Sequence, residues 1–67
     1  IDLEDYYGAI ADLTKAIELN PDYVNAYYNR GIIKYSLNDI NGACLDLRKS
    51  VNLGHTDSKD FIGQICN

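Results

Sequence analysis

The sequence contains few of the residues that usually carry chemistry. Its 67 residues include one histidine, two cysteines and one proline, with no tryptophan or methionine. One histidine near the end of the chain gives no Ser-His-Asp arrangement, and no His and Cys residues stand at metal-ligand spacing. The five glycines occur singly, so no glycine-rich loop is available to hold phosphate. We therefore expect a protein that is not an enzyme and has no catalytic residue, cofactor or metal site.

Basic residues are also scarce. Six Lys and Arg stand against ten Asp and Glu, which gives a net charge of −4. Nucleic-acid binding usually needs a basic face that neutralises phosphates, and an anionic lipid surface needs the same, so neither partner is expected. No apolar run approaches the ~20 residues of a membrane span. The composition predicts a soluble protein, with the cytoplasm as the default compartment, and the initial Ile suggests a segment of a longer chain.

Two cysteines, Cys44 and Cys66, are too few for a disulfide framework. One interpretation is two half-buried thiols. The other is a single Cys44–Cys66 disulfide that ties a last helix to the preceding one. Both interpretations remain open from the sequence, and the redox state of the compartment remains open with them.

What the sequence does contain is an internal repeat. Residues 3–19 (LEDYYGAIADLTKAIEL) and residues 37–53 (LNDINGACLDLRKSVNL) are 34 positions apart and share eight identities in seventeen positions. Chance at typical residue frequencies gives about one. A repeat with this period is the signature of a stacked-repeat architecture.

Helix signals dominate the repeat and its surroundings. Ala9, Leu13, Ala16 and Ile17 follow the spacing of one helix face and predict a first helix over about residues 5–20. Asn20-Pro21-Asp22 ends it, because a helix rarely continues into the residue before proline. The acids at positions 2, 4 and 5 suit a helix start, where they interact favourably with the helix dipole.

Three further helices follow from the capping signals. Asp22 is the predicted N-cap of a second helix ending near Leu37, and Asn38 suits the left-handed position beyond its end. Asp39 is the predicted N-cap of a third helix to about Leu53, which Gly54 ends. A short fourth helix over 57–67 would be capped by Asp57 or Ser58. No strand pattern appears, so the predicted class is all-α, with short loops between antiparallel helices.

These features together resemble the tetratricopeptide repeat, a 34-residue helix–turn–helix unit that stacks into an α-solenoid. The residues that carry the resemblance are the large, small and closing positions of the pattern: Tyr27, Gly31, Ala43, Leu47 and Ser50, then Ala9, Leu13, Ala16 and Pro21 in the preceding partial repeat. The resemblance implies a second helix of a partial repeat over 1–22, one complete repeat over 23–55, and a short C-terminal capping helix over 56–67. In such a stack we expect the small Ala9, Gly31 and Ala43 to pack against Leu13, Tyr27 and Leu47.

The sequence departs from the family pattern at three places. Arg30 replaces the usual Leu, Lys34 stands at an often aromatic position, and His55 replaces the closing Pro. Arg followed by Gly resembles a family variant in which an acidic residue recurs in the second helix, here Asp12 and Asp46. The resemblance implies that Arg30 pairs with one of these two acids; the alternative is a solvated Arg30. His55, in a turn, suits a structural or solvent-facing role.

The resemblance also implies a function. In such arrays the first helix of each repeat lines a concave groove that binds peptides or extended protein segments. The positions that would face this groove are Asn25, Tyr28, Asn29, Ile32, Tyr35 and Ser36. Asn29 matches an asparagine that contacts the peptide backbone in chaperone-binding members, but Asn25 replaces their basic carboxylate-binding residue. The alternative to a binding groove is that this face is simply exposed, or is covered by a second copy of the chain.

Two functions follow as hypotheses. The first is a protein–protein interaction module that binds a peptide or partner segment in the groove. The alternative is a structural array end that mediates capping and self-association as a homo-oligomer, with helix exchange between copies as one route.

Overall fold

The computed structural model describes residues 2–66 and consists of four helices joined by short connections. They are α1 (Leu3–Leu19), α2 (Val24–Ser36), α3 (Ile40–Asn52) and α4 (Ser58–Ile65). No strand occurs within residues 2–66. Each helix packs against its neighbours in the chain: α1 against α2, α2 against α3, and α3 against α4. The prediction of an all-α fold of antiparallel helical hairpins is confirmed.

The first helix begins two residues earlier than the periodicity predicted. Asp2 occupies the N-cap position, and its side chain accepts a hydrogen bond from the Glu4 backbone N–H at 3.2 Å. Glu4 and Asp5 lie in the first turn, where negative charge is favourable. At the other end, Asn20 takes an extended conformation ahead of Pro21, which ends the helix as expected.

The predicted N-cap of α2 is wrong by one residue. The cap position belongs to Tyr23, which makes no side-chain capping hydrogen bond. The reason is the turn before it: the Asn20 side-chain oxygen accepts from the Asp22 backbone N–H at 3.2 Å, and the Asn20 carbonyl accepts from Tyr23 N–H at 3.0 Å. This turn places Asp22 upstream of the helix start, and the Tyr23 carbonyl accepts the first helical hydrogen bonds.

The ends of α2 and α3 share one type of C-terminal cap. Asn38 has φ 65° and Gly54 has φ 115°, so each is the left-handed residue after a helix. The Asp39 N–H donates to the Lys34 carbonyl at 2.8 Å, and the His55 N–H donates to the Ser50 carbonyl at 2.9 Å. These are the long hydrogen bonds of a Schellman motif, and they satisfy carbonyls that the helix leaves unpaired.

Side-chain capping differs between the last two helices. Asp39 caps α3 as predicted, because its carboxylate accepts from the Gly42 N–H at 3.0 Å. Asp57 occupies the N-cap position of α4 but makes no capping bond. The Ser58 hydroxyl points inward instead, 3.0 Å from His55 Nδ1 and 3.4 Å from Ser50 Oγ. Asp57, one of the two residues predicted to cap α4, is therefore its N-cap residue, although its side chain makes no capping hydrogen bond.

The core lies mainly between α2 and α3. Ala26, Ala43, Cys44 and Leu47 are its buried apolar side chains, and Ala43 and Leu47 are fully excluded from solvent. Gly31 allows this close approach, because a Cβ at that position would lie 2.9 Å from Leu47 Cγ. The predicted packing of the α1 residues differs: Ala9 and Leu13 are only half-buried, and α1 contributes no fully buried residue.

Candidate functional site

The face of α2 opposite its core side carries the six predicted groove residues. Helix α2 turns Ala26 and Gly31 into the core. Tyr28 and Ile32 are half-buried. The other four predicted residues are exposed: Asn25, Asn29, Tyr35 and Ser36. A helix with one face in the core keeps its opposite face available for contacts, and this face of α2 is therefore the first candidate surface.

Part of this face lines a cleft of about 530 Å³ between α1 and α2. The lining residues are mostly apolar, with an acid and an amide among them: Ala9, Asp12 and Leu13 from α1, and Tyr28, Asn29, Ile32 and Ile33 from α2. The volume is within the usual range of ligand-binding clefts, and the combination of an apolar lining with few polar groups is typical of them.

Sequence reasoning found only part of this cleft. It gave Tyr28, Asn29 and Ile32 a groove role, but it assigned Ala9 and Leu13 to packing and missed Ile33. The repeat carried no signal for this, because it makes Ala9 and Leu13 equivalent to Ala43 and Leu47. Only the structure shows that the first pair is half-buried and the second pair fully buried.

The remaining predicted groove residues lie outside the cleft. The Tyr35 ring makes an edge-on contact with Phe61 of α4, with ring centroids 5.1 Å apart. The Ser36 hydroxyl donates to the Ile32 carbonyl at 3.2 Å, and Asn25 is exposed. The structure thus divides the predicted set into a cleft group of three and an outer group of three.

Tyr28 connects the cleft to the turn after α3. Its ring stacks on the ring of His55, with centroids 4.4 Å apart and an angle of 20° between the planes. His55 is half-buried, and its Nδ1 lies within hydrogen-bonding distance of the Ser58 hydroxyl. His55 therefore holds Tyr28 at the wall of the cleft.

A part-buried ion-pair cluster connects three of the helices. Arg30 donates two hydrogen bonds of 2.8 Å to Asp46, from Nε and Nη2, and a third of 3.2 Å from Nη1 to the Thr14 hydroxyl. Lys34 Nζ lies 3.1 Å from the same carboxylate. The cluster joins α1, α2 and α3, since each helix contributes a side chain to it.

The hydrogen bonds that Arg30 donates to Asp46 raise the pKa of Arg30 above its usual value, against the lowering effect of burial. Arg30 therefore keeps its charge, and its guanidinium carbon lies 5.6 Å from the Tyr27 ring centroid. Of the two acids that the sequence offered as partners, the structure pairs Arg30 with Asp46. Asp12 lies at the cleft instead.

A disulfide joins Cys44 of α3 to Cys66 at the end of α4, with Cα atoms 5.9 Å apart. Of the two interpretations that the sequence left open, this is the bridged one. The bond lies beside a second cavity of about 300 Å³. Because it spans 22 positions of the chain, it holds α4 against α3.

Among residues 2–66 no group of three His, Cys, Asp or Glu side chains is placed to hold a metal ion. None of the helices in that range combines the length and hydropathy needed to cross a bilayer. The groups that line the cleft are apolar side chains, a phenol, an amide and a carboxylate.

Comparisons with known proteins agree with this architecture. A family model described as "TPR repeat" matches residues 1–38, and one described as "Tetratricopeptide repeat" matches residues 24–53. Serine/threonine-protein phosphatase T of Aspergillus oryzae is 42% identical over 48 residues, which cover 72% of this chain. The chain corresponds to 10% of that relative's length. No solved structure was found to match.

Proposed function

Because the chain belongs to the tetratricopeptide repeat family, we propose that it is a protein-interaction module that holds a peptide or partner segment in the cleft between α1 and α2. Tetratricopeptide repeats generally mediate protein–protein interaction. The observation that supports the specific site is that three predicted groove residues, Tyr28, Asn29 and Ile32, line an open, largely apolar cleft. A similarity confined to a tenth of a phosphatase gives no ground for carrying phosphatase activity to this chain.

The cleft suits a polypeptide because it combines two kinds of contact. Leu13, Ile32 and Ile33 offer apolar surface to a side chain. The exposed Asn29 amide can both donate to and accept from a peptide backbone. Tyr28, fixed by its stacking on His55, adds a large contact area with little rotational freedom to lose.

The test is a selection from a displayed library of random peptides on the immobilised chain, followed by synthesis of the recovered peptides. We expect these peptides to lose at least roughly tenfold in affinity for the Tyr28→Ala/Asn29→Ala variant, since truncating central interface residues commonly costs more than 1 kcal/mol each. A matched control, Tyr7→Ala/Asn52→Ala, changes the same residue types at exposed positions away from the cleft.

Circular dichroism of both variants checks that each keeps its helices. The proposal fails if no peptide is recovered above background, or if the Tyr28→Ala/Asn29→Ala variant binds the peptides as well as the control does.

A second candidate function is that of an array end that self-associates. It is supported by the exposure of large apolar side chains on α1, where Leu3 is 59%, Tyr7 60% and Leu19 77% exposed. Exposed apolar patches often mark association surfaces. Light scattering across a concentration series tests it: a mass that stays at one chain, 7.5 kDa, excludes this candidate.

A further inference from the structure

We propose that the disulfide between α3 and α4 is a redox switch for the face of α2 that carries the predicted groove residues. While the bond is closed, α4 supports two tyrosine rings of that face, Tyr28 and Tyr35. When a small anionic thiol reduces the bond, α4 undocks and both rings lose their support. The inference rests on the proposed function, because it assigns a regulation to the same binding face.

The first support that α4 gives is a direct contact. The Phe61 ring of α4 meets the Tyr35 ring of α2 edge-on, with centroids 5.1 Å apart and an angle of 78° between the planes. This arrangement is one that aromatic pairs favour. Tyr35 is otherwise an exposed side chain, so the position of its ring depends on α4 remaining in place.

The second support reaches Tyr28 through the turn between α3 and α4. The Tyr28 ring stacks on His55, and His55 Nδ1 lies 3.0 Å from the hydroxyl of Ser58, the first residue of α4. Ser58 is 1% exposed, and its hydroxyl also lies 3.4 Å from Ser50 Oγ. Undocking α4 withdraws Ser58 from this site, and the His55 ring then loses the partner that fixes it against Tyr28.

The disulfide is what α4 itself depends on. The helix has eight residues, no side-chain cap and a single buried residue, Ser58 at its start. A helix this short is not stable without tertiary contacts. Cys66 is the C-cap residue, so its bond to Cys44 fixes the other end of α4 to α3. With the bond open, only half-buried side chains hold that end of the helix.

A small thiol can reach the bond. Both cysteines line a cavity of about 300 Å³. Cys44 is 7% exposed whereas Cys66 is only half-buried, so an incoming thiolate attacks the Cys66 sulfur. Arg48 lines the same cavity, and no acid of residues 2–66 does. Charge attraction therefore favours a reductant that carries a carboxylate or sulfonate beside its thiol.

The reduction is an ordinary thiol–disulfide exchange. The reductant thiolate bonds to Cys66 Sγ, the protein disulfide breaks, and Cys44 leaves as a thiolate that takes up a proton. A second reductant thiolate then attacks the reductant sulfur of the mixed disulfide, and Cys66 leaves and takes up a proton in turn. Two reductant thiols are thereby oxidised to one disulfide, and the protein gains two electrons and two protons.

The test follows the aromatic rings by NMR in the oxidised chain and after adding 2-mercaptoethanesulfonate. We expect the Tyr28–His55 and Tyr35–Phe61 ring contacts in the oxidised chain and their loss in the reduced chain. A peptide selected on the oxidised chain should bind the reduced chain at least roughly tenfold more weakly. The Cys66→Ser chain should resemble the reduced chain whether or not the thiol is present.

Matched variants test the two parts of the switch separately. In the oxidised chain Phe61→Ala should weaken peptide binding, whereas Gln64→Ala, at an exposed position of the same helix, should not. Arg48→Gln should slow reduction by 2-mercaptoethanesulfonate about twofold or more relative to reduction by neutral 2-mercaptoethanol. Lys49→Gln is its control, because it removes an adjacent exposed charge that does not line the cavity.

Three results would overturn the switch: a disulfide that stays closed in excess thiol, ring contacts that survive reduction, or equal peptide affinity of the oxidised and reduced chains. Equal slowing of the two reductants by Arg48→Gln would overturn the preference for an anionic thiol. Failure to recover any peptide would instead contradict the proposed function itself. The two failures are distinguishable, because the ring contacts of Tyr28 and Tyr35 are measured without peptide.

Discussion

At the scale of single residues, the carboxylate of Asp46 is the charge most dependent on its partners. Its side chain is 6% exposed and is held by Arg30 and Lys34. We predict that Arg30→Met lowers the free energy of unfolding by about 3 kcal/mol, because a buried charge then loses its bidentate partner. Urea denaturation followed by circular dichroism measures the loss.

A domain of this size has little stability to spare, so Arg30→Met can leave the chain unfolded. Arg30→Lys keeps the charge without the two-bonded geometry and should lie between Arg30→Met and the wild type. Lys15→Met, at a side chain 71% exposed, is the matched control and should change little. An Arg30→Met chain as stable as this control would show that the cluster contributes nothing.

Two helical glycines should respond in opposite directions to the same substitution. Gly8 in α1 has open space where a Cβ would stand, whereas Gly31 faces Leu47. Gly8→Ala should raise the free energy of unfolding by about 0.5–1 kcal/mol through helix propensity alone. Gly31→Ala gains the same propensity but overpacks the α2–α3 contact, and we predict a net loss of about 1 kcal/mol or more.

Thermal and urea unfolding of the two variants checks this pair side by side. A Gly31→Ala chain that gains as much stability as Gly8→Ala would mean that the helices are not in close contact at this point.

At the scale of helices, α4 depends on its covalent link. It has eight residues and no side-chain cap, and a helix that short is not stable alone. The Cys44–Cys66 disulfide closes a loop of 22 positions, which the loop-entropy estimate values at about 3 kcal/mol. We predict that reduction speeds amide hydrogen exchange in α4 far more than in α2 and α3.

Hydrogen exchange on the oxidised and reduced chain gives this comparison directly. In the Cys66→Ser variant, adding reductant should have no further effect on α4. Equal protection of α4 with and without reductant would show that packing alone holds it.

The number and type of helices could be predicted because their signals are local. Pro21 and the left-handed residues Asn38 and Gly54 mark breaks that depend on a few neighbouring atoms. The predicted N-cap of α2 was wrong because the Asn20 side chain accepts a hydrogen bond from the Asp22 backbone N–H. Capping preferences of single residues do not take this turn into account. Asp57 takes the predicted N-cap position of α4 without a side-chain capping bond, and Ser58 is drawn into a buried contact with Ser50 and His55, which capping preferences do not indicate.

The site could be predicted only in part, because it depends on contacts between helices. The period of α2 indicated which residues share a face, and three of them line the cleft. Helix periodicity does not predict which acid forms the ion pair with Arg30, because Asp12 and Asp46 occupy equivalent positions in the repeat. Only the packing of α2 against α3 distinguishes a covered carboxylate from an open one.

At the scale of the whole fold, the four helices of residues 2–66 leave the repeated surface on α3 covered and its equivalent on α1 open. The open surface on α1 lies beside the α2 residues to which the family resemblance gives a binding role. The central claim is that a partner binds in the cleft between these two helices.

The most direct test is a chemical-shift titration of the ¹⁵N-labelled chain with a peptide recovered from the displayed library. The account predicts that the largest shifts fall on both walls of the cleft, at Ala9, Asp12 and Leu13 on α1 and at Tyr28, Asn29 and Ile32 on α2. It also predicts that α4 remains nearly unchanged. Shifts concentrated on α3 and α4, or no saturable shifts at all, would contradict it.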